Sequence, residues 1–120
     1  MKGKAQRIGI FDDDVSLVVS LKLFLQNKGL EAEICSTART AEEFCRSFNP
    51  DLALLDLVWD KNQDASYSDI EAILKARDIP IVFLSSHVDV QMPAKVSARI
   101  IKRPKLPDQV YEQLKDWGLV

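Results

Sequence analysis

The stretch RIGIFDDDVSL, residues 7–17, sets three consecutive carboxylates directly after an apolar run. Like charges a few ångströms apart raise one another's cost of ionisation. Asp12, Asp13 and Asp14 therefore need separate employment, or a cation between them. Arg7 to Phe11 is short and rich in β-formers. Val15 to Lys28 carries Val15, Val18, Val19, Leu21, Phe24 and Leu25 along one broad helical face. The triplet thus stands at a strand-to-helix junction, where one acid has ordinary work as a helix cap. Asp14, next to the helix, is placed for that.

Outward from this junction the same alternation repeats. Gly29 is a natural helix stop, and LEAEICS (30–36) alternates Leu30, Ala32 and Ile34 with Glu31 and Glu33, as a half-exposed strand does. Thr40 and Glu43 have the spacing of a capping box for a helix through about Phe48. NPDLALLDL (49–57) is a turn and then a nearly unbroken apolar strand, the mark of burial on both faces. Residues 67–77 suit a helix and IPIVFLSS (79–86) another buried strand. Asp89 to Ser97 is weakly helical and contains Pro93. ARII is a short last strand, and Pro107 to Trp117 a final helix with proline in its first turn. Strands alternating with helices argue for an α/β fold, a parallel sheet covered on both faces. In such sheets ligands sit beyond the carboxyl ends of the strands, where the strand order switches.

At 120 residues the chain is one domain's worth, with 47% hydrophobic and 28% charged residues. A net charge of −2 offers no basic field for nucleic acid or an anionic membrane. No apolar run approaches the length of a membrane helix or a signal peptide. Cys35 and Cys45 form no metal or redox motif. They read as reduced, packed thiols of a cytoplasmic protein.

The strand ends gather a distinctive set. Asp12, Asp13 and Asp14 follow the first strand, Asp56 the third, Ser85 and Ser86 the fourth, and Lys102 and Arg103 the fifth. Each alone has a plain reading as cap, turn residue or solvated strand end. Together they suggest a hard divalent ion, since Mg²⁺ takes a few protein oxygens and keeps several waters. A hydroxyl and a cation facing that ion suit the oxygens of a phosphoryl group. A carboxylate beside them can accept it.

On these residues the whole chain resembles the receiver domain of two-component response regulators. IGIFDDDVSLVVSLKLFLQNKG is similar to that family's first strand, acidic pair and first helix. NPDLALLDL is similar to its phosphoacceptor strand, IPIVFLSS to the strand ending in Thr or Ser, and RPKLP to its Lys-Pro corner. The resemblance implies one receiver domain over residues 1–120, with a doubly wound, flavodoxin-like five-stranded parallel sheet of order 2-1-3-4-5. It implies Asp56 as phosphoacceptor. Mg²⁺ would be held by Asp12, Asp13, Asp56 and the backbone carbonyl of Val58, and Ser85 would contact a phosphoryl oxygen beside the small Ser86. The donor would be a histidine kinase or histidine phosphotransfer protein, and the output an effector domain or a homodimer partner. No direct nucleic-acid or membrane contact is implied. Nor is an enzyme, beyond slow autophosphorylation from small donors and autodephosphorylation.

Departures accompany the resemblance. The family's lysine before proline aligns with Arg103; Lys102 would serve only if a one-residue bulge turned it to the other face. Ile100 stands where the family has a switch aromatic. The stretch between Ser85 and Arg103 is short, so the fourth helix is expected to be short or irregular. The usual Pro-Gly turn after Asp56 is replaced by VWDKNQDAS, in which Trp59 reads either as core or as partial cover for the site or a partner surface. His87 reads as a loop residue or as an influence on hydrolysis at the rim. Two rivals follow: a degenerate receiver that only binds partners, and a haloacid-dehalogenase-like phosphohydrolase. In the latter Asp12 is nucleophile, Asp14 acid/base, and Ser85 and Lys102 bind phosphate.

Overall fold

The computed structural model describes residues 4–57, 59, 67–85, 99–102 and 106–120. Five strands, β1 (Arg7–Phe11), β2 (Glu31–Cys35), β3 (Leu52–Asp56), β4 (Ile81–Ser85) and β5 (Arg99–Lys102), form one sheet in the order β2-β1-β3-β4-β5. Every pairing is parallel. Among the described residues four α-helices accompany them: α1 (Val15–Asn27), α2 (Ala41–Phe48), α3 (Tyr67–Ala76) and α4 (Pro107–Asp116). The expected short fourth helix falls on residues 86–98, outside the described residues.

Side-chain alternation along the strands builds two cores. Ile8, Ile10, Leu52, Leu54, Val82, Leu84 and Ile101 face α1 and α4, joining Val18, Leu21, Leu25, Val110 and Leu114. Phe11, Ala53, Leu55 and Phe83 face the other way, joining Ala41 and Cys45 of α2 and Ile70 and Leu74 of α3. This division follows from right-handed crossovers. The chain moves one way from β1 to β2 and the opposite way from β3 onward, so α1 falls on one face and α2 and α3 on the other. The direction changes between β1 and β3, and the crevice at their carboxyl ends is the place this fold offers a ligand.

Local signals explain most boundaries. Asp14 caps α1, its Oδ1 accepting from the Leu17 amide at 3.3 Å and the Ser16 hydroxyl at 2.7 Å. Gly29, at φ 85°, ends α1 with the paired bonds of a Schellman turn: its amide reaches Gln26 O and the Leu30 amide reaches Leu25 O. The expected capping box at Thr40 is corrected. Thr40 makes no side-chain cap bond; its hydroxyl donates to Thr37 O at 3.2 Å, while Glu43 accepts from Arg46 and Ser47. A single 3₁₀ turn over Ala38–Thr40 leads straight into α2, so the backbone arrives already wound and the box is not needed. Pro107 occupies the first turn of α4, with the Gln109 carboxamide accepting from the Leu106 amide.

Candidate functional site

The ends of β1 and β3 deliver the acids. Ile8 and Ile10 are fully buried, and the next residue of that alternation, Asp12, is only 1% exposed. Its amide donates to Cys35 O at 3.1 Å and its Oδ1 accepts from the Asp14 amide at 2.9 Å. Asp13, the following residue, is half-buried. Asp56 closes β3, a strand buried from end to end, and is 5% exposed. Asp12, Asp13 and Asp56 each offer a carboxylate oxygen, and these three oxygens lie within 4.8 Å of one another. Asp12 Oδ2 and Asp56 Oδ1 are both sealed from solvent. Carboxylates so close repel strongly unless positive charge joins them. An all-oxygen set of this kind fits a hard divalent cation such as Mg²⁺. Of the opening triplet, Asp14 caps α1 as its position suggested, and Asp12 and Asp13 bring oxygens near Asp56.

Ser85 ends β4 and is buried, 7% exposed. Asp56 pairs with Leu84, so Ser85 stands one residue further along the same rim. The β4–β5 ladder runs unbroken from Val82↔Arg99 to Ser85↔Lys102, with no bulge in it. Ile101 lies in the α1/α4 core and Ile100 packs on the other, so Lys102 shares the Ile100 face and is itself exposed. Arg103, Val58, Ser86 and His87 lie outside the described residues.

Sequence reasoning left Trp59 open. It is half-buried, packs against the α2/α3 core, and donates its indole N–H to the carbonyl oxygen of Asp56 at 2.8 Å. The only advance signal was a ring bearing a donor three residues past the strand's last acid. Cys35 and Cys45 are buried free thiols, as expected. Burial pushes both above the ordinary thiol range, against opposing contacts from Thr40 and Thr37 at Cys35 and from Arg77 at Cys45.

No protein-family model matches the chain. Over 85 residues, 70% of this chain, it is 33% identical to the DNA-binding response regulator MtrA of Mycolicibacterium paratuberculosis, and the match takes in 36% of that protein. Among solved structures, the CheY-like response regulator receiver domain protein of Methanospirillum hungatei has a TM-score of 0.75 at 25% identity. It covers 98% of this chain and 94% of its own. The chain is a response-regulator receiver domain. A further likeness, of fold alone, links this receiver domain to the N-terminal domain of a response regulator/sensory box/GGDEF 3-domain protein from Carboxydothermus hydrogenoformans. The TM-score there is 0.78 at 22% identity, over 94% and 93% of the two chains. The receiver domain spans about a third of the length of the curated relatives it matches. No helix among its described residues is long and apolar enough to cross a membrane.

Proposed function

We propose that this receiver domain is a phosphoacceptor: Asp56 takes a phosphoryl group from a phosphohistidine on a histidine kinase or histidine phosphotransfer protein, with Mg²⁺ at the site. The observation that carries the reading is the approach of three carboxylate oxygens to within 4.8 Å at the strand-order switch. In the step, an Asp56 oxygen forms a bond to phosphorus as the N–P bond of the donor breaks, and the electron pair returns to the imidazole. When bound, the cation supplies positive charge between the carboxylates and the incoming phosphoryl oxygens. Asp12, Asp13 and Asp56 would hold it, with the Val58 carbonyl assigned as a further ligand. Ser85 donates its hydroxyl to a phosphoryl oxygen. The basic partner is assigned to Arg103, whose neighbour Pro104 keeps the register of the family's Lys-Pro corner, with Lys102, opposite Ser85 in the β4–β5 ladder, as the alternative.

The domain would work in the cytoplasm, delivering its signal to an effector domain or a second copy of itself. The phosphohydrolase reading is weakened at its acid: Asp14 Oδ1 is engaged in capping α1. A binding-only receiver is the remaining alternative, favoured by the absence of an aromatic ring at the half-buried Ile100.

Intact mass after incubation with a small acyl phosphate, with and without Mg²⁺, tests the reading. The expected result is one added phosphoryl group that requires Mg²⁺ and disappears in Asp56→Ala. A gain that survives Asp56→Ala names the wrong nucleophile. No gain in a wild-type protein that binds Mg²⁺ favours the binding-only receiver.

A further inference from the structure

We infer that Trp59 is a positioning residue for the cation site, its indole fixing the main chain at Asp56 and so the placement of the Asp56 carboxylate. The inference rests on the phosphoacceptor reading for the identity of the cation. Asp56 stands where the sheet gives out. The β1–β3 ladder ends at Phe11↔Leu55, one residue short of it, while the β3–β4 ladder reaches Asp56↔Leu84. The Leu57 amide adds one more bond, to Leu84 O at 3.1 Å. Asp56 is thus the last paired residue of its strand.

Trp59 supplies a second hold. Its Nε1 lies 2.8 Å from Asp56 O, closing a loop three residues long. The other end of the ring is seated against the core that contains Phe11, Leu55 and Phe83. An indole has a single N–H and no acceptor, so the bond has one polarity and one geometry. A packed aromatic ring also has few rotamers to lose. Trp59 is therefore a rigid bracket between the core and the Asp56 main chain.

The carboxylate hangs from the backbone that this bracket holds. Mg²⁺ demands near-ideal octahedral geometry at short distances, so a small displacement of one oxygen weakens it. Asp12 has its own brace in the Asp14 amide at 2.9 Å. The indole is the corresponding brace on the Asp56 side. A tryptophan that merely fills core would affect stability and leave cation affinity alone.

The test is Mg²⁺ binding by calorimetry on wild type, Trp59→Phe and Trp117→Phe, with a thermal melt of each in the absence of Mg²⁺. Trp59→Phe keeps a ring and deletes the donor; loss of one neutral hydrogen bond predicts roughly fivefold weaker Mg²⁺ binding. Trp117→Phe, far along the chain at the end of α4, should bind as wild type does. It also leaves Trp59 as the sole indole, whose emission should change and saturate with Mg²⁺ at the calorimetric midpoint. Wild-type affinity in Trp59→Phe overturns the inference while leaving the phosphoacceptor reading intact. If Trp59→Phe does not fold, a flat Trp59 emission in Trp117→Phe overturns it instead. A wild-type protein that binds no Mg²⁺ removes both.

Discussion

The two ends of the sheet use the same residue in opposite ways. At the carboxyl end Asp12, Asp13 and Asp56 point oxygens at one another, within 4.8 Å. At the amino end Asp51 points its Oδ2 at two backbone amides, those of Gln6 and Arg7, each at 3.1 Å. Its own amide returns a bond to Arg7 O at 2.7 Å, so it ties the approach to β3 onto the start of β1. A carboxylate met by N–H groups solves a folding problem, because it satisfies donors that a strand leaves over. At the carboxyl end the acids also crowd one another, a repulsion that a cation would relieve. What surrounds the oxygens, more than the residue or its place beside a strand, separates structural from functional aspartates.

The largest expected effect breaks the carboxyl-end cluster. A ligand that binds only the folded chain adds about 2.7 kcal/mol at a hundredfold excess over Kd. Thermal melts of the wild-type protein should therefore rise steadily with Mg²⁺, and Asp12→Asn should flatten that rise. Without Mg²⁺, Asp13→Asn should melt a few degrees higher than wild type, since it removes one of three clustered charges. A stabilised variant that has lost its ion is the signature of a site held together against repulsion. If Asp13→Asn melts lower, the cluster is braced by its hydrogen bonds and the contrast between the ends fails.

Asp51→Ala is the converse at the amino end. Two amides lose their acceptor, and the position is exposed enough for water to replace part of it, so the expected loss is about 1–2 kcal/mol. Chemical denaturation measures this. Mg²⁺ affinity, by calorimetry, should not move. A loss of affinity comparable to that of Asp12→Asn would mean the two ends are coupled through β1.

These contrasts were unevenly legible in the sequence. Apolar runs, period-2 alternation, helical patterning and terminal signals such as Pro107 together located every described strand and α-helix, because burial on two faces leaves an unbroken apolar run in strands such as Leu52–Asp56. The cap role of Asp14 was legible beside the helix start, whereas the pairing of Asp12 and Asp13 with Asp56 came from the family resemblance. Hydrogen bonds made at a distance were not legible. Asp51 looked like a turn residue, and its partners Gln6 and Arg7 lie more than forty positions away. The Trp59 bond is local, but nothing in the spacing says which carbonyl an indole will find. The Thr40 box failed because a preceding 3₁₀ turn did the same work, and such short turns carry little pattern.

The thiols probe the same question with a smaller effect. Burial raises the Cys35 and Cys45 thiols above their ordinary range in the folded chain. As pH climbs past about 8.5, the unfolded chain sheds these protons first. It then binds fewer protons than the folded one, and stability falls with rising pH. That contribution is fully present below the unfolded value and is lost as pH climbs through the folded one. Denaturation midpoints between pH 7 and pH 10 should decline, and a Cys35→Ala, Cys45→Ala protein should decline less. An equal slope in both would assign the alkaline loss to other groups. Cys35 closes β2, and its thiol donates to Thr37 O at 3.3 Å within the α2/α3 core, so it is a case of a carboxyl-end side chain occupied with packing.

The smallest effect lies at the amino end, in a second aspartate with a backbone role. Asp78 follows α3 at φ 57°, with its amide on Lys75 O and the Ile79 amide on Leu74 O, the same paired bonds that Gly29 makes after α1. Gly29 holds this conformation freely, and a side chain added there would meet nothing within 4 Å. Its replacement by alanine therefore isolates the left-handed backbone and should lose about 1 kcal/mol. Asp78→Gly runs the same exchange in reverse. It removes the left-handed strain of a non-glycine residue, is offset by glycine's greater freedom when unfolded, and should gain about 0.5 kcal/mol, or roughly 2 °C in Tm. Opposite signs from one turn geometry would show that Asp78 is kept at a small cost in stability. Equal losses would show that its carboxylate contributes as much as Asp51's does, and would place both amino-end aspartates in the structural class.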